Sequence, residues 1–170
     1  MSGEYDGAIE TLEPLAGPGR TLPPGISADI HPRQALAWAW LQTGEPERAV
    51  ALLEPVDEFR TQRLAAGEFV SSSEWLASFA LNSVVLGDEA RAIELLERAV
   101  DAGWRNYYLM IRDPRWDALR EHPQLVDLLA RVKADIERQR AELEAIEAED
   151  DFAARLDAAL AANEARAAAR

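Results

Sequence analysis

Apolar residues along this chain recur mostly at steps of three and four, the spacing of one face of an α-helix, in short runs broken by Gly and Pro. The clearest run is Gly87-Asp88-Glu89-Ala90-Arg91-Ala92-Ile93-Glu94-Leu95-Leu96. Gly87 breaks one helix, the acid after it sits at the positive end of the next, and Ala92, Leu96 and Ala99 form an apolar stripe. The phrase is written twice more, from Gly3 to Ala8, Leu12 and Leu15, and from Gly44 to Ala49, Leu53 and Val56. Each predicts the start of the second helix of a helical hairpin, so the expected fold is all-α, built from stacked hairpins.

Only Met1 and Ser2 precede the first phrase, which predicts a hairpin without its first helix, a piece of a longer protein beginning inside a repeat. Pro14 is expected to end or kink that helix, and the stretch from Gly17 to Gly25, with prolines at 18, 23 and 24, to form a loop. Its Gly-x-Gly has no strand before it and is no phosphate cradle. His31-Pro32 opens the next helix, in which Leu36, Ala37, Trp40 and Leu41 share a face. Trp38 points about 200° away from Trp40, so Trp40 is the expected core tryptophan. Pro55 predicts a second kink or stop, and Asp57 to Val70 reads as a separate helical stretch closed by Gly67. Ser71 and Glu74 predict a capping box ahead of a helix from Trp75 to Leu86, the second helix of that hairpin runs to Ala102, and Gly103 ends it. Asp113-Pro114 and His122-Pro123 restart helices.

From Gln124 the pattern changes. Leu125, Leu129, Val132, Ile136, Leu143 and Ile146 step by 4, 3, 4, 7 and 3, a heptad seam with Gln139 at the skipped position, which predicts one long helix able to form a dimer seam. The acids Glu147, Glu149, Asp150 and Asp151 interrupt it, and the Ala- and Arg-rich remainder is expected to be helical at best and to fray.

Charge and composition narrow the function classes. The 170 residues carry 18 Lys and Arg against 31 Asp and Glu, a net charge of −13. That surface repels phosphate backbones and anionic lipid, and no basic patch offsets it, so neither nucleic acid nor membrane is an expected partner. The chain has no cysteine, which excludes disulfides and thiolate chemistry. No run of residues predicts a transmembrane helix or a signal peptide. Its two histidines, His31 and His122, each stand before a proline at a helix start without a partner at metal-ligand spacing. No nucleophile elbow, Walker loop or zincin helix occurs, so no catalytic residue, metal or cofactor is expected and the chain does not read as an enzyme. Trp104, Tyr107, Tyr108 and Trp116 flank two helix breaks and read either as a cap on the last hairpin or as the walls of a ligand pocket.

The three phrases resemble the second-helix half of tetratricopeptide-like repeats over Gly3–Ala16, His31–Glu58 and Ser71–Ala102. The periods of 41 and 43 residues exceed the roughly 34 of a compact unit, and Pro14, Pro55, Arg33 and Leu76 depart from the usual pattern. The segment from Ala102-Gly103-Trp104-Arg105 through Asp113-Pro114-Arg115-Trp116 to Pro123-Gln124-Leu125 also resembles the end of bacterial signalling proteins in which such an array follows a winged-helix or nucleotide-cyclase domain. The resemblance implies a tetratricopeptide-like array over residues 1–123, its first repeat truncated, and a long helix with an acidic, Ala-rich tail over 124–170. It implies a protein- or peptide-binding module, the regulatory or sensory C-terminal part of a cytoplasmic signalling protein, or a periplasmic one if a transmembrane helix lies upstream. The groove carried over by register is His31, Gln34, Trp38, Leu41 and Gln42 from one unit and Glu74, Ala77, Leu81, Val84 and Val85 from the next. Either this groove is open with Trp38 as an anchor, or terminal helices fill it and bury Trp38. The alternative function is structural, a homodimer through the 125–146 seam.

Overall fold

The computed structural model describes residues 2–19, 30–68, 71–149 and 151–168, and every regular element among them is helical. In order they are α1 (Ser2–Ala16), α2 (Ile30–Gln42), α3 (Pro46–Ala65), α4 (Ser73–Val85), α5 (Glu89–Asp101), α6 (Tyr107–Met110), a 3₁₀ segment (Pro114–Leu119), α7 (Pro123–Glu149) and α8 (Phe152–Ala168). Two compact units, Met1–Ala130 and Arg131–Arg170, divide the chain inside α7.

In the first unit α1 packs on α2, α2 on α3 and α4, α3 on α4, and α4 on α5 and on the 3₁₀ segment. α4 is the central element. Its residues from Leu76 to Val85 are all buried, because a helix that is apolar or small on every side finds cover only inside a fold. Leu36, Ala37 and Trp40 of α2, Ala49, Leu52 and Leu53 of α3, and Val85 of α4 form one cluster, edged by Ile9 and Leu12 of α1. Trp40 is fully enclosed, as expected from its face, and the Arg48 guanidinium lies 4.1 Å from its ring centroid. On α5 the predicted stripe of Ala92, Leu96 and Ala99 is buried together with Ile93, Leu95 and Val100.

The two hairpin turns repeat one geometry. Gly44 and Gly87 take φ of +85° and +80°, conformations an L side chain strains to adopt. The following N–H groups reach back to the helix just finished, Glu45 to the Trp40 carbonyl and Asp88 to the Ser83 carbonyl, each at 2.8 Å. Asp88 then caps α5 by accepting from Arg91 N at 3.1 Å. Glu45, at the matching place before α3, makes no side-chain cap. Gly3 is different again, since it lies within α1 and supplies no turn.

Several local expectations are corrected. Pro55 does not end its helix, and the stretch from Asp57 onward belongs to the same α3, which continues to Ala65 before Gly67 closes it. Pro55 and Ala51 both sit on the exposed side, so the carbonyl that loses its N–H partner there faces solvent. Pro14, by contrast, lies in the last turn of α1, which ends two residues later at Ala16, in keeping with the expected stop. The N-cap of α4 is Ser72, not Ser71, and its side chain makes no cap hydrogen bond. Asp113 does cap, accepting from Arg115 N at 3.0 Å, but what it opens is a 3₁₀ segment. The loop beyond Gly19, the side chain of His31 and Val70 lie outside the described residues.

In the second unit Asp151 Oδ1 accepts from Ala154 N at 3.1 Å and starts α8. Among the described residues α8 does not lie back along α7. Leu143 and Ile146 on α7 and Phe152, Leu156 and Leu160 on α8 are exposed. No helix among the described residues is long and apolar enough to cross a membrane.

Candidate functional site

The interior of the first unit holds a polar seam around α4. On α3, Asp57, Arg60 and Thr61 stand at i, i+3 and i+4 and share one face. On α4, Ser78 and Asn82 are one turn apart and both are buried. Arg60 Nη2 donates to Ser78 Oγ at 3.3 Å, and Gln34 Nε2 of α2 donates to the Ser78 carbonyl at 2.7 Å. Asn82 Nδ2 donates to Asp57 Oδ1 at 3.3 Å, while Arg91 Nη1 of α5 meets Asp57 Oδ2 at 3.0 Å. Four helices are thereby tied by side chains that are mostly out of water.

Arg60 is the costly member of the seam. It is 3% exposed, and among the described residues its Nη1 has no hydrogen-bond partner and its guanidinium no carboxylate within salt-bridge reach. The Trp75 and Phe79 rings lie 5.1 and 5.7 Å from its guanidinium carbon, with Arg91 on Phe79 at 4.7 Å. Burial pushes its pKa down to about 10 against the opposing pull of the Asp57 carboxylate. Arg60 thus stays charged at neutral pH, held by aromatic faces and one hydroxyl.

The seam opens on one side into a groove of about 710 Å³ between α3 and the α4–α5 turn. Glu54, Asp57 and Glu58 line it from α3, and Asp88 and Arg91 from the start of α5, over an apolar base that includes Val50 and Leu86. Asp57 and Arg91 neutralise each other, which leaves Glu54, Glu58 and the exposed α5 cap Asp88 as negative charge. On another side of α4, Glu74, Ala77 and Leu81 line a smaller cavity of about 130 Å³ with Trp104, Met110 and Trp116.

The residues expected to line a groove by register therefore separate. Gln34 and Val85 are core residues, enclosed because α2 and α4 pack face to face, and Val84 is buried with them. Leu41 is half-buried against the core cluster, and Gln42 is exposed. Trp38 is half-buried, its Nε1 enclosed without a hydrogen-bond partner among the described residues. Among the described residues, Glu74, Ala77 and Leu81 share one cavity, which the 104–116 segment partly covers; Trp104 and Trp116 are both buried there.

The heptad seam is divided as well. Leu125 and Val132 are buried and cannot face a partner helix, because the buried stripe of α7 runs Leu125, Leu128, Val132, at steps of three and four that take in Leu128 in place of Leu129. Leu129 and Ile136 are half-buried, and Leu143 and Ile146 are exposed. Among the described residues no group of three His, Asp or Glu side chains is placed to hold a metal ion.

Sequence reasoning missed Arg60, Asp57, Ser78 and Asn82. The usable signal was a pair of polar residues one turn apart inside the otherwise apolar Trp75–Val85 run, which is seldom left without partners. Compared with family models, curated proteins and solved structures, the chain matches none.

Proposed function

We propose that this chain is a helical-hairpin module that binds a protein or peptide partner and does no chemistry of its own. The observation that carries the reading is the groove along α3, whose volume of about 710 Å³ falls within the roughly 300–1,000 Å³ of ligand-sized sites. Its exposed carboxylates Glu54 and Glu58 flank Val50 and Leu86, a mixture suited to a partner with both basic and apolar side chains. Two successive hairpins with the same Gly turn, and a helix ahead of them packed on the first, support a tetratricopeptide-like stacking of α1 to α5. With the 102–125 segment this favours the regulatory or sensory part of a bacterial signalling protein.

Selection of peptides from a displayed random library tests the reading. Enriched peptides should bind the folded protein and lose most of their affinity to the Glu54→Lys/Glu58→Lys double variant. Failure to enrich any peptide over a bare surface, or binding indifferent to the double variant, would remove it.

A structural reading is favoured by one separate observation, the exposed Leu143, Ile146, Phe152, Leu156 and Leu160 of the second unit. On that reading the unit pairs with a second copy, and sedimentation equilibrium of the whole chain should give the mass of a dimer. A monomer at high micromolar concentration would exclude it.

A further inference from the structure

The cavity on α4 has a composition that selects a charge. Trp104 and Trp116 supply indole walls, and Glu74 stands in the first turn of α4, exposed, with no ion-pair partner among the described residues. Asp113 and Arg115, which also line it, are occupied with one another, Arg115 Nε donating to both Asp113 carboxylate oxygens at 2.9 and 3.0 Å. The uncompensated charge of the lining is therefore the single carboxylate of Glu74. The helix N-terminus beside it offsets part of that charge, but a helix end acts as only about half a unit.

The cavity's size sets the kind of ligand. About 130 Å³ is well below the roughly 300–1,000 Å³ that encloses a whole small molecule, so it admits one side-chain head and not a metabolite. Aromatic faces with a carboxylate attract a cation, and a planar guanidinium can stack on indole while it pairs with the acid. An anion meets the opposite field, since Arg115 has no free charge to offer and the chain carries a net −13. We infer that this cavity is an anchor pocket for a cationic side-chain head, an arginine in preference, of a bound peptide, with Glu74 as its charge partner and Trp104 and Trp116 as its walls. The source of the side chain rests on the partner-binding reading above; the charge selectivity of the pocket does not.

The test uses the whole chain and two probes of the same shape, N-acetylarginine amide and its uncharged counterpart N-acetylcitrulline amide, read by the indole N–H signals of the protein in nitrogen-correlated NMR spectra. The arginine probe is expected to move the Trp104 and Trp116 signals saturably in the millimolar range, and the citrulline probe to leave them in place. Glu74→Gln should weaken the arginine probe by about tenfold, the loss of one charge-assisted contact. Unchanged indole positions in that variant before titration will show that the fold is kept. Equal shifts by both probes, no shift by either, or undiminished binding to Glu74→Gln would overturn the pocket. A library peptide that binds along α3 while leaving both indole signals still would overturn the anchor and keep the module reading. Arginine binding without any peptide ligand would do the reverse.

Discussion

Gln34 Nε2 on α2 donates to the backbone carbonyl of Ser78 on α4 at 2.7 Å, with both residues buried. The partner oxygen of the same amide, Gln34 Oε1, has no hydrogen bond among the described residues, so the contact is half of what the side chain could make. Ser78 lies mid-helix, where its carbonyl also has the α4 ladder to satisfy it. Removal of the amide by Gln34→Met should therefore change stability by no more than about 1 kcal/mol, since an unmatched acceptor leaves with the donor. Gln34→Glu should cost about 3 kcal/mol or more, because it places a carboxylate at a fully enclosed site facing a carbonyl. Urea denaturation of the two variants measures both. A cost for Gln34→Glu under roughly 0.5 kcal/mol would return this residue to an open surface.

Ala92 is fully buried on α5, while Ala90 on the same helix is exposed. Ala92→Asp should lower the unfolding free energy by about 3 kcal/mol or more, for want of any partner to a buried carboxylate. Ala90→Asp, in the first turn of the helix where negative charge is favoured, should stay within about 0.5 kcal/mol of the parent. Thermal unfolding of the pair separates the two positions. Similar midpoints would mean that the helix is rotated from the face described.

What could be read from the sequence was the part governed by local pattern. The stripe of α5, Trp40 as the core tryptophan of α2, and the Gly44 and Gly87 turns all follow from steps of three and four punctuated by residues that accept positive φ. The groove register did not survive for Gln34 and Val85, because it presumed that each first helix keeps one side open. From Leu76 to Val85 α4 has no exposed side, its polar Ser78 and Asn82 being buried in the seam, and α2, α3, α5 and the 3₁₀ segment all pack on it. The Arg60 and Asp57 seam was beyond a one-element reading, since its members come from four helices. Pro55 misled for a different reason, as its cost depends on which side of the helix it occupies, and that is fixed only by packing.

Trp38 and Trp40 give a paired test of α2. Trp40 is enclosed by the core cluster, whereas Trp38 is half-buried. Trp40→Ala is expected to cost roughly 3–5 kcal/mol, as core truncations of large aromatics do. Trp38→Ala should cost about 1–2 kcal/mol, in proportion to the smaller area it removes from cover. The remaining exposed part of Trp38 is what a partner could still use. Denaturant titrations of both variants decide the matter, and equal losses would place Trp38 in the core and close that part of the groove.

Arg60 supplies the last prediction, in which the expected sign is a gain. Its guanidinium is buried against Trp75 and Phe79 with one hydroxyl partner, and its pKa is held down at about 10 chiefly by loss of water. A base whose folded pKa lies below its unfolded value costs stability wherever both states are charged, and is relieved only as pH rises through the folded pKa toward the unfolded one. For Arg60 that window begins near pH 10, so the cost is present in full at every pH below it. Met fills a similar length without a charge, and replacements of poorly compensated buried ions by apolar residues are commonly neutral to stabilising. Arg60→Met should thus raise the unfolding free energy by about 1–2 kcal/mol, by the same amount at pH 6 and at pH 8. Urea denaturation at those two pH values measures it. A loss of more than about 1 kcal/mol would show that the two rings and Ser78 more than offset the burial of the charge, and that the seam is a net stabilising feature of the fold.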